Sequence, residues 1–85
     1  MEFIKEENRI YAKNEKGVLI AEITFQPREN NVYNIDYTFV DESLRGQGIA
    51  GKLVQEAVNT IKAKGGIVKA TCSYADKWLQ EHKIQ

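Results

Sequence analysis

Hydrophobic and polar residues alternate through three segments in the first half of the chain, a pattern typical of strands with one buried face. A short segment covers Arg9–Lys13, and longer ones cover Val18–Gln26 and Val32–Val40. One face of the two longer segments carries apolar residues, namely Leu19, Ala21, Ile23 and Phe25, then Tyr33, Ile35, Tyr37 and Phe39. Because the connections between the segments are short, the sequence predicts an antiparallel meander of three strands.

The spacing of apolar residues changes to a helical period from about residue 48 to residue 64, and a glycine pair ends that helix. The segment Ile67–Thr71 is then a fourth strand, which a helical crossover makes parallel to the third. Ser73 and Asp76 have the spacing of a capping box, so we expect a last helix from Ser73 to about His82.

The predicted order of elements is therefore βββαβα. This is an α+β fold, in which an antiparallel meander is extended by one parallel strand pair and covered by two helices. We expect residues 1–85 to form a single domain, because a chain of this length holds one small hydrophobic core.

The connection between the third strand and the first helix contains three glycines within six residues, Gly46, Gly48 and Gly51. Each glycine in a helical turn costs about 0.8–1 kcal/mol relative to alanine, so the group needs a physical reason. One interpretation is a helix capped by Ser43 with small residues for close packing, but a serine cap does not explain the glycines. The interpretation we favour leaves the helix N-terminus free for an anion such as phosphate.

The same glycines have the spacing of a dinucleotide-binding turn, Gly46-x-Gly48-x-x-Gly51. That fold needs a βαβ unit and an acidic residue about 20 positions further on, at the end of the second strand. The corresponding segment here is Thr71–Ser73, which has no carboxylate, and an antiparallel meander precedes the turn. The dinucleotide interpretation therefore fails.

The pattern Arg45-x-x-Gly48-x-Ala50 resembles the signature of the GNAT acetyltransferases. The chain is more closely similar to a small single-domain branch of that superfamily. The branch has three motifs that recur here in the same order, as Ile35–Thr38, Leu44–Ala50 and Cys72–Ala75.

The resemblance implies an N-acetyltransferase that uses acetyl-CoA as cosubstrate and releases CoA as product. It implies that backbone amides of the glycine turn hold the pyrophosphate, while the pantetheine arm enters between the third and fourth strands. A backbone N–H at Phe39 or Val40 would polarise the thioester carbonyl. The implied coenzyme-binding residues of the turn are Arg45, Gly46, Gln47, Gly48, Ile49, Ala50, Gly51 and Lys52.

Cys72 is the first candidate catalytic residue, and it is also implied to lie beside the bound acetyl group. It precedes a helix N-terminus, which stabilises a thiolate, so it could accept the acetyl group or pass a proton to the leaving thiolate. Equally, it could be a small packing residue.

Tyr74 is the second candidate, as a general acid, a role that Cys72 or water could fill instead. Tyr74 could equally be a packing residue with its hydroxyl at the rim. Typical family members have a tyrosine in the last helix, but Leu79 stands at that position here. Tyr37 stands where the branch usually has histidine, so an imidazole base is also missing. Asp36, Glu22 and Glu42 are weaker candidates for the base, because charged residues on strands and turns are mostly solvated.

Composition limits the alternatives. Twelve basic and twelve acidic residues give a net charge of zero, so we expect no nucleic-acid or membrane partner. One cysteine and no long apolar run favour a soluble cytoplasmic protein, and no residue cluster has metal-ligand spacing.

The acceptor is an unidentified amine of a protein, peptide or small molecule, and the oligomeric state is open. Because the usual acid and base are missing, a non-catalytic acyl-CoA- or CoA-binding module is the main alternative function. A general phosphate-binding or interaction domain unrelated to coenzyme A is a weaker one.

Overall fold

A computed structural model describes residues 1–84 and forms one mixed five-stranded sheet covered by two helices. Strands β1 to β4 are antiparallel and β5 is parallel to β4, in the sheet order β1-β2-β3-β4-β5. This confirms the α+β class. The elements are β1 Ile4–Glu6, β2 Arg9–Lys13, β3 Leu19–Pro27, β4 Val32–Val40, α1 Ile49–Ala63, β5 Ile67–Ala70 and α2 Ser73–Glu81, with short 3₁₀ turns at Glu29–Asn31 and Glu42–Leu44.

Strand β1 was not predicted from the sequence. It is only three residues long, all exposed, and pairs with β2 from Ile4 opposite Tyr11 to Glu6 opposite Arg9. A strand without apolar alternation gives no periodic signal, and charged residues on a short edge strand discourage pairing with other chains.

The hydrophobic core lies between one face of the sheet and the helices. Helix α1 turns its apolar stripe to the sheet, and α2 adds Ala75, Trp78 and Leu79 to the same core. Leu19, predicted to share this face, lies beyond a bulge in the pairing of β3 with β2 and is not part of the core. The sheet residues of this core alternate along their strands, as predicted for Ala21, Ile23 and Phe25. They are Ile10, Ala12, Ala21, Ile23, Phe25, Ile35 and Val68.

A β-bulge in β4 changes which residues face this core. Thr24 pairs with Tyr37, but the next residue of β3, Phe25, pairs with Ile35, so Asp36 is an extra residue. An extra residue reverses the alternation of side chains beyond it. The prediction that Tyr37 and Phe39 share a face with Ile35 is therefore wrong.

Beyond the bulge, Thr38 and Val40 face the helices instead. Thr38 is opposite the buried Ile23, and Val40 is opposite the buried Ala21. Opposite residues of an antiparallel pair project to the same side of the sheet. Tyr37 is turned to the other side, where 48% of it is exposed.

The parallel pairing of β4 with β5 ends where the bulge begins. It runs from Val32 opposite Ile67 to Ile35 opposite Ala70. The Ile35 carbonyl then accepts the backbone N–H groups of Thr71 and Cys72, at 3.1 and 3.2 Å. Strand β4 continues to Val40 without β5 beside it, so a cleft opens between its outer half and the start of α2.

The capping box predicted at the start of α2 does not form. Cys72 is the N-cap residue, no side chain caps the helix, and Ser73 already lies in its first turn. A serine inside the first turn cannot reach the amide that an N-cap side chain satisfies. The first amides of α2 therefore have no side-chain partner.

Gly66 allows α1 to end close to β4. A Cβ atom there would lie 2.7 Å from Cδ1 of Tyr33 and 2.9 Å from Cγ2 of Ile61. We expect Gly66→Ala to lower the free energy of unfolding by about 1–3 kcal/mol through overpacking. Urea unfolding followed by circular dichroism would measure it. Lys62→Ala, on the exposed side of α1, is the control and should change stability by about 0.5 kcal/mol or less. Equal effects from both substitutions would contradict the close approach at Gly66.

Candidate active site

Local hydrogen bonds shape the segment between β4 and the glycines. The Asp41 carboxylate accepts the Ser43 backbone N–H at 3.1 Å and the Ser43 hydroxyl at 2.5 Å. These bonds from Ser43, with the nearby charge of Arg45, lower the pKa of Asp41. Ser43 therefore belongs to a 3₁₀ turn, and the interpretation that it caps the first helix is wrong.

Helix α1 begins at Ile49 without a side-chain cap. Its N-cap is Gly48, with φ +73° and ψ 16°, and Gly46 has φ +83°. A Cβ atom at either glycine would meet nothing within 4 Å, so the backbone conformation, and not space, favours glycine here. The first backbone N–H groups of α1 therefore lie at an uncapped helix N-terminus. N–H groups in this position commonly bind anions.

This helix N-terminus opens on a cavity of about 450 Å³. The volume is in the range typical of small-molecule sites. The cavity reaches from the glycine turn along the outer half of β4 to the first turn of α2. Its lining residues are Thr38, Val40, Leu44, Arg45, Gly46, Gly48, Ile49, Ala50 and Tyr74.

Most of the residues predicted to bind coenzyme or catalyse the reaction line this cavity. The exceptions are Phe39, Gln47, Gly51, Lys52 and Cys72, whose atoms do not form its wall. Two lining residues were not predicted as site residues. The residue types of Thr38 and Leu44 indicate no function. Only their positions, at the end of one motif and the start of the next, could have identified them.

The backbone of β4 presents an N–H group to the cleft. Asp41 donates its backbone N–H to the Ile20 carbonyl at 2.8 Å. This bond shows which backbone N–H groups at the end of β4 point toward β3. Because alternate residues bond to the neighbouring strand, the Phe39 N–H points toward β3. The Val40 N–H points the opposite way, to the side that β5 has left.

Cys72 lies at the junction of β5 and α2 and is half-buried. Its thiol donates a hydrogen bond to Thr38 Oγ1, with 3.5 Å between the two heavy atoms. The predicted catalytic thiol therefore contacts a residue of the cavity wall.

Tyr74 lies in the first turn of α2 and contributes to the cavity wall while 44% of it is exposed. Partial burial, and then the negative charge of Glu81, raise the pKa of Tyr74 above its usual value. The phenol therefore keeps its proton through the neutral range, as a proton donor must.

Gly51 brings α2 close to the first turn of α1. A Cβ atom at Gly51 would lie 3.3 Å from Nε1 of Trp78 and 3.7 Å from the Tyr74 hydroxyl oxygen. The third glycine of the motif thus permits helix packing that places Tyr74 beside the turn.

Two of the three weaker base candidates form other contacts, and the third, Glu42, lies in the 3₁₀ turn before the glycines. Glu22 forms an ion pair with Arg9, and Asp36 accepts a hydrogen bond from the Thr24 hydroxyl at 2.6 Å. Leu79, where typical family members have an acid, is 6% exposed in the core. Within residues 1–84, no group of three or more His, Cys, Asp or Glu side chains could hold a metal ion, and neither helix is long and apolar enough to cross a membrane.

Solved structures resemble this chain. A GCN5-like protein of Staphylococcus aureus, solved by NMR, is 33% identical with a TM-score of 0.79 over 96% of this chain and 80% of its own. A GNAT-family N-acetyltransferase of Escherichia coli, crystallised with CoA, is 26% identical with a TM-score of 0.66, over 73% of this chain and 38% of its own. An IAA acetyltransferase of Bacillus cereus, 24% identical with a TM-score of 0.68, shares the fold over 86% of this chain and 51% of its own. The chain thus spans less than two thirds of the last two proteins.

A comparison with curated protein sequences finds no match. A family model described as GCN5-related N-acetyl-transferase matches residues 9–85, which is nearly the whole chain. The resemblance drawn from the three sequence motifs is confirmed, and the chain belongs to the GCN5-related N-acetyl-transferase family.

Proposed function

We propose that this chain transfers the acetyl group of acetyl-CoA to an amine of a protein, peptide or small molecule. The observation that carries the proposal is a single cavity that joins an uncapped helix N-terminus to the open side of β4. An anion site and a cleft of this kind suit a ligand with a diphosphate at one end and a reactive thioester at the other.

The glycine turn would hold the diphosphate. Gly46 and Gly48 allow the chain to present backbone N–H groups, and the helix dipole of α1 favours negative charge at that point. Arg45 adds a positive charge to the cavity wall. The remaining proposed contacts of the turn are with Gln47, Ile49, Ala50, Gly51 and Lys52. The related Escherichia coli enzyme was crystallised with CoA, which supports CoA as the ligand of this chain.

The Val40 N–H would bind the carbonyl oxygen of the thioester. As the amine nitrogen attacks the carbonyl carbon, negative charge develops on that oxygen, and a well-placed backbone donor is worth about 3–4 kcal/mol at this step. Of the two donors predicted from the sequence, Phe39 and Val40, the ladder favours Val40, since the Phe39 N–H points toward β3.

Tyr74 would complete the reaction as general acid. When the carbon–sulfur bond breaks, the leaving thiolate takes a proton from the phenol, and the attacking amine loses a proton to solvent. The phenolate then regains a proton from solvent, which restores Tyr74. CoA and an N-acetylated amine are the products. Cys72 has two proposed roles, as a proton shuttle to the thiolate or as a nucleophile that carries the acetyl group in a thioester.

The binding step predicts a large thermal effect. At about a hundred times its dissociation constant, CoA should stabilise the fold by about 2.7 kcal/mol, which raises Tm by roughly 10–20 °C. Gly48→Ala should abolish most of this shift, because alanine disfavours the positive φ of the turn. Differential scanning fluorimetry with CoA and with acetyl-CoA measures the Tm shift of the unmodified protein and that of Gly48→Ala.

Gly17→Ala is the matched control for Gly48→Ala. Gly17 has φ +78° and open space around it, but it lies in the turn between β2 and β3. Both variants should lose similar intrinsic stability, about 1–2 kcal/mol, while only Gly48→Ala loses the CoA response. The absence of any shift with the unmodified protein would remove the coenzyme proposal.

Turnover tests the role of Tyr74. Tyr74→Phe should lower kcat about 100-fold with little change in KM for acetyl-CoA, measured by thiol release with an amine panel and mass analysis of products. Because the pKa of Tyr74 is raised, its contribution should persist to about pH 10 and fall only above it. That alkaline loss should be absent in Tyr74→Phe. An unchanged kcat would exclude the phenol as the acid.

Cys72→Ala separates a catalytic thiol from a packing residue. A covalent role predicts that the unmodified protein, supplied with acetyl-CoA but no acceptor, gains about 42 Da as one acetyl group replaces the thiol hydrogen. Cys72→Ala should then lose both this adduct and turnover. A proton shuttle predicts a slower reaction with no such adduct. If Cys72→Ala keeps full activity, the thiol only fills space.

The buried Leu79 favours a second candidate, a non-catalytic acyl-CoA- or CoA-binding module, because the acid of typical family members is missing. A thermal shift with CoA but no acetylated product from any amine would support this module over the enzyme.

A further inference from the structure

A side-chain hydrogen bond crosses the cleft at its closed end, between Thr38 of β4 and Cys72 at the start of α2. We propose that Thr38, which lines the cavity, is a positioning residue whose hydroxyl holds the Cys72 sulfur beside the cavity wall and stabilises negative charge on it. This inference rests on the proposed function for its catalytic meaning, but the contact itself can be tested without a substrate.

The bulge at Asp36 makes this contact possible. With unbroken alternation, Thr38 would face the same side of the sheet as Asp36 and Asn34. The extra residue turns Thr38 to the side of Ile23 and the helices, where it lines the cavity. Threonine is stiff about its first side-chain torsion, so a fixed backbone also fixes the direction of its hydroxyl.

Both backbone polar groups of Cys72 form hydrogen bonds. Its N–H donates to the Ile35 carbonyl at 3.2 Å, and its own carbonyl accepts the Asp76 N–H at 2.9 Å. The preceding residue is held too, because the buried Asn34 donates from Nδ2 to Thr71 Oγ1 at 2.9 Å. The sulfur therefore retains one free torsion, and the bond to Thr38 restrains it.

The hydroxyl of Thr38 suits both forms of the sulfur. A hydroxyl has one donor and two acceptor positions, so it accepts the bond from the neutral thiol and can rotate to donate to a thiolate. Hydrogen bonds to a charged partner are stronger than neutral ones, so the hydroxyl stabilises the reactive thiolate more than the thiol. Removing it should therefore make Cys72 a poorer nucleophile.

The rate of cysteine alkylation measures the nucleophilicity of the Cys72 sulfur alone, because Cys72 is the one cysteine of the chain. The rate of reaction with iodoacetamide at pH 7.5, followed by intact mass, should fall about 3- to 10-fold in Thr38→Val, which keeps the shape and removes the hydroxyl. Thr38→Ser restores a hydroxyl and should stay within about 2-fold of the unmodified protein. If valine disturbs the fold by circular dichroism, Thr38→Ala takes its place in the comparison.

Thr24→Val is the matched control. Thr24 is also a strand threonine with a hydrogen-bonded hydroxyl, but its partner is Asp36 and it does not line the cavity. The rate of Cys72 alkylation in Thr24→Val should equal the rate in the unmodified protein. A rate in Thr38→Val equal to that of the unmodified protein, or an equal fall in Thr24→Val, would overturn the proposal.

Kinetics then separate this inference from the proposed function. If acetyl transfer occurs, Thr38→Val should lower kcat by a factor similar to its alkylation effect and leave KM for acetyl-CoA within about 2-fold. A slower alkylation without any CoA binding or turnover would keep the positioning role and reject the acetyltransferase. Turnover with an unchanged kcat and alkylation rate would keep the enzyme and reject the role of Thr38.

Discussion

The end of parallel pairing at Ile35 is the constraint on which the rest of the site depends. One carbonyl accepts two successive backbone N–H groups, from Thr71 and Cys72, and β5 then turns into α2 while β4 runs on alone. The bulge at Asp36 lies at the same point and reverses the faces of β4. One local irregularity therefore opens the cleft, turns Thr38 and Val40 into it, and sets the start of α2 beside it.

The groups proposed to bind the coenzyme are largely main-chain groups that the fold leaves unpaired within residues 1–84. The N-terminus of α1 has no side-chain cap, and the outer half of β4 has no parallel neighbour. Such donors are already oriented before a ligand arrives, so they need little reorganisation to stabilise charge. Two glycines with positive φ make the first of these arrangements possible, and the Asp41–Ser43 bonds hold the segment that leads into them.

The departures from the family pattern are consistent with this geometry. Leu79 packs in the core, so the helix turn that would carry an acid contributes to stability instead. Tyr74, one turn earlier, reaches the cavity because Gly51 lets α2 approach α1 closely. The thiol of Cys72 donates a hydrogen bond to Thr38, which lines the cavity. The two proposed catalytic groups, Cys72 and Tyr74, therefore both lie at the start of α2.

The sequence alone determined the order of the main elements, the parallel strand pair and the uncapped glycine turn, because periodicity, turn residues and glycine conformation are local properties. Most of the cavity wall followed from those motifs. Tertiary structure alone decided the strand Ile4–Glu6, the faces of Tyr37 and Phe39, the failed cap at Ser73 and the contact of Thr38 with Cys72. Each of these depends on pairing register or on the packing of segments far apart in the chain, and a register shift of one residue leaves no mark in local composition.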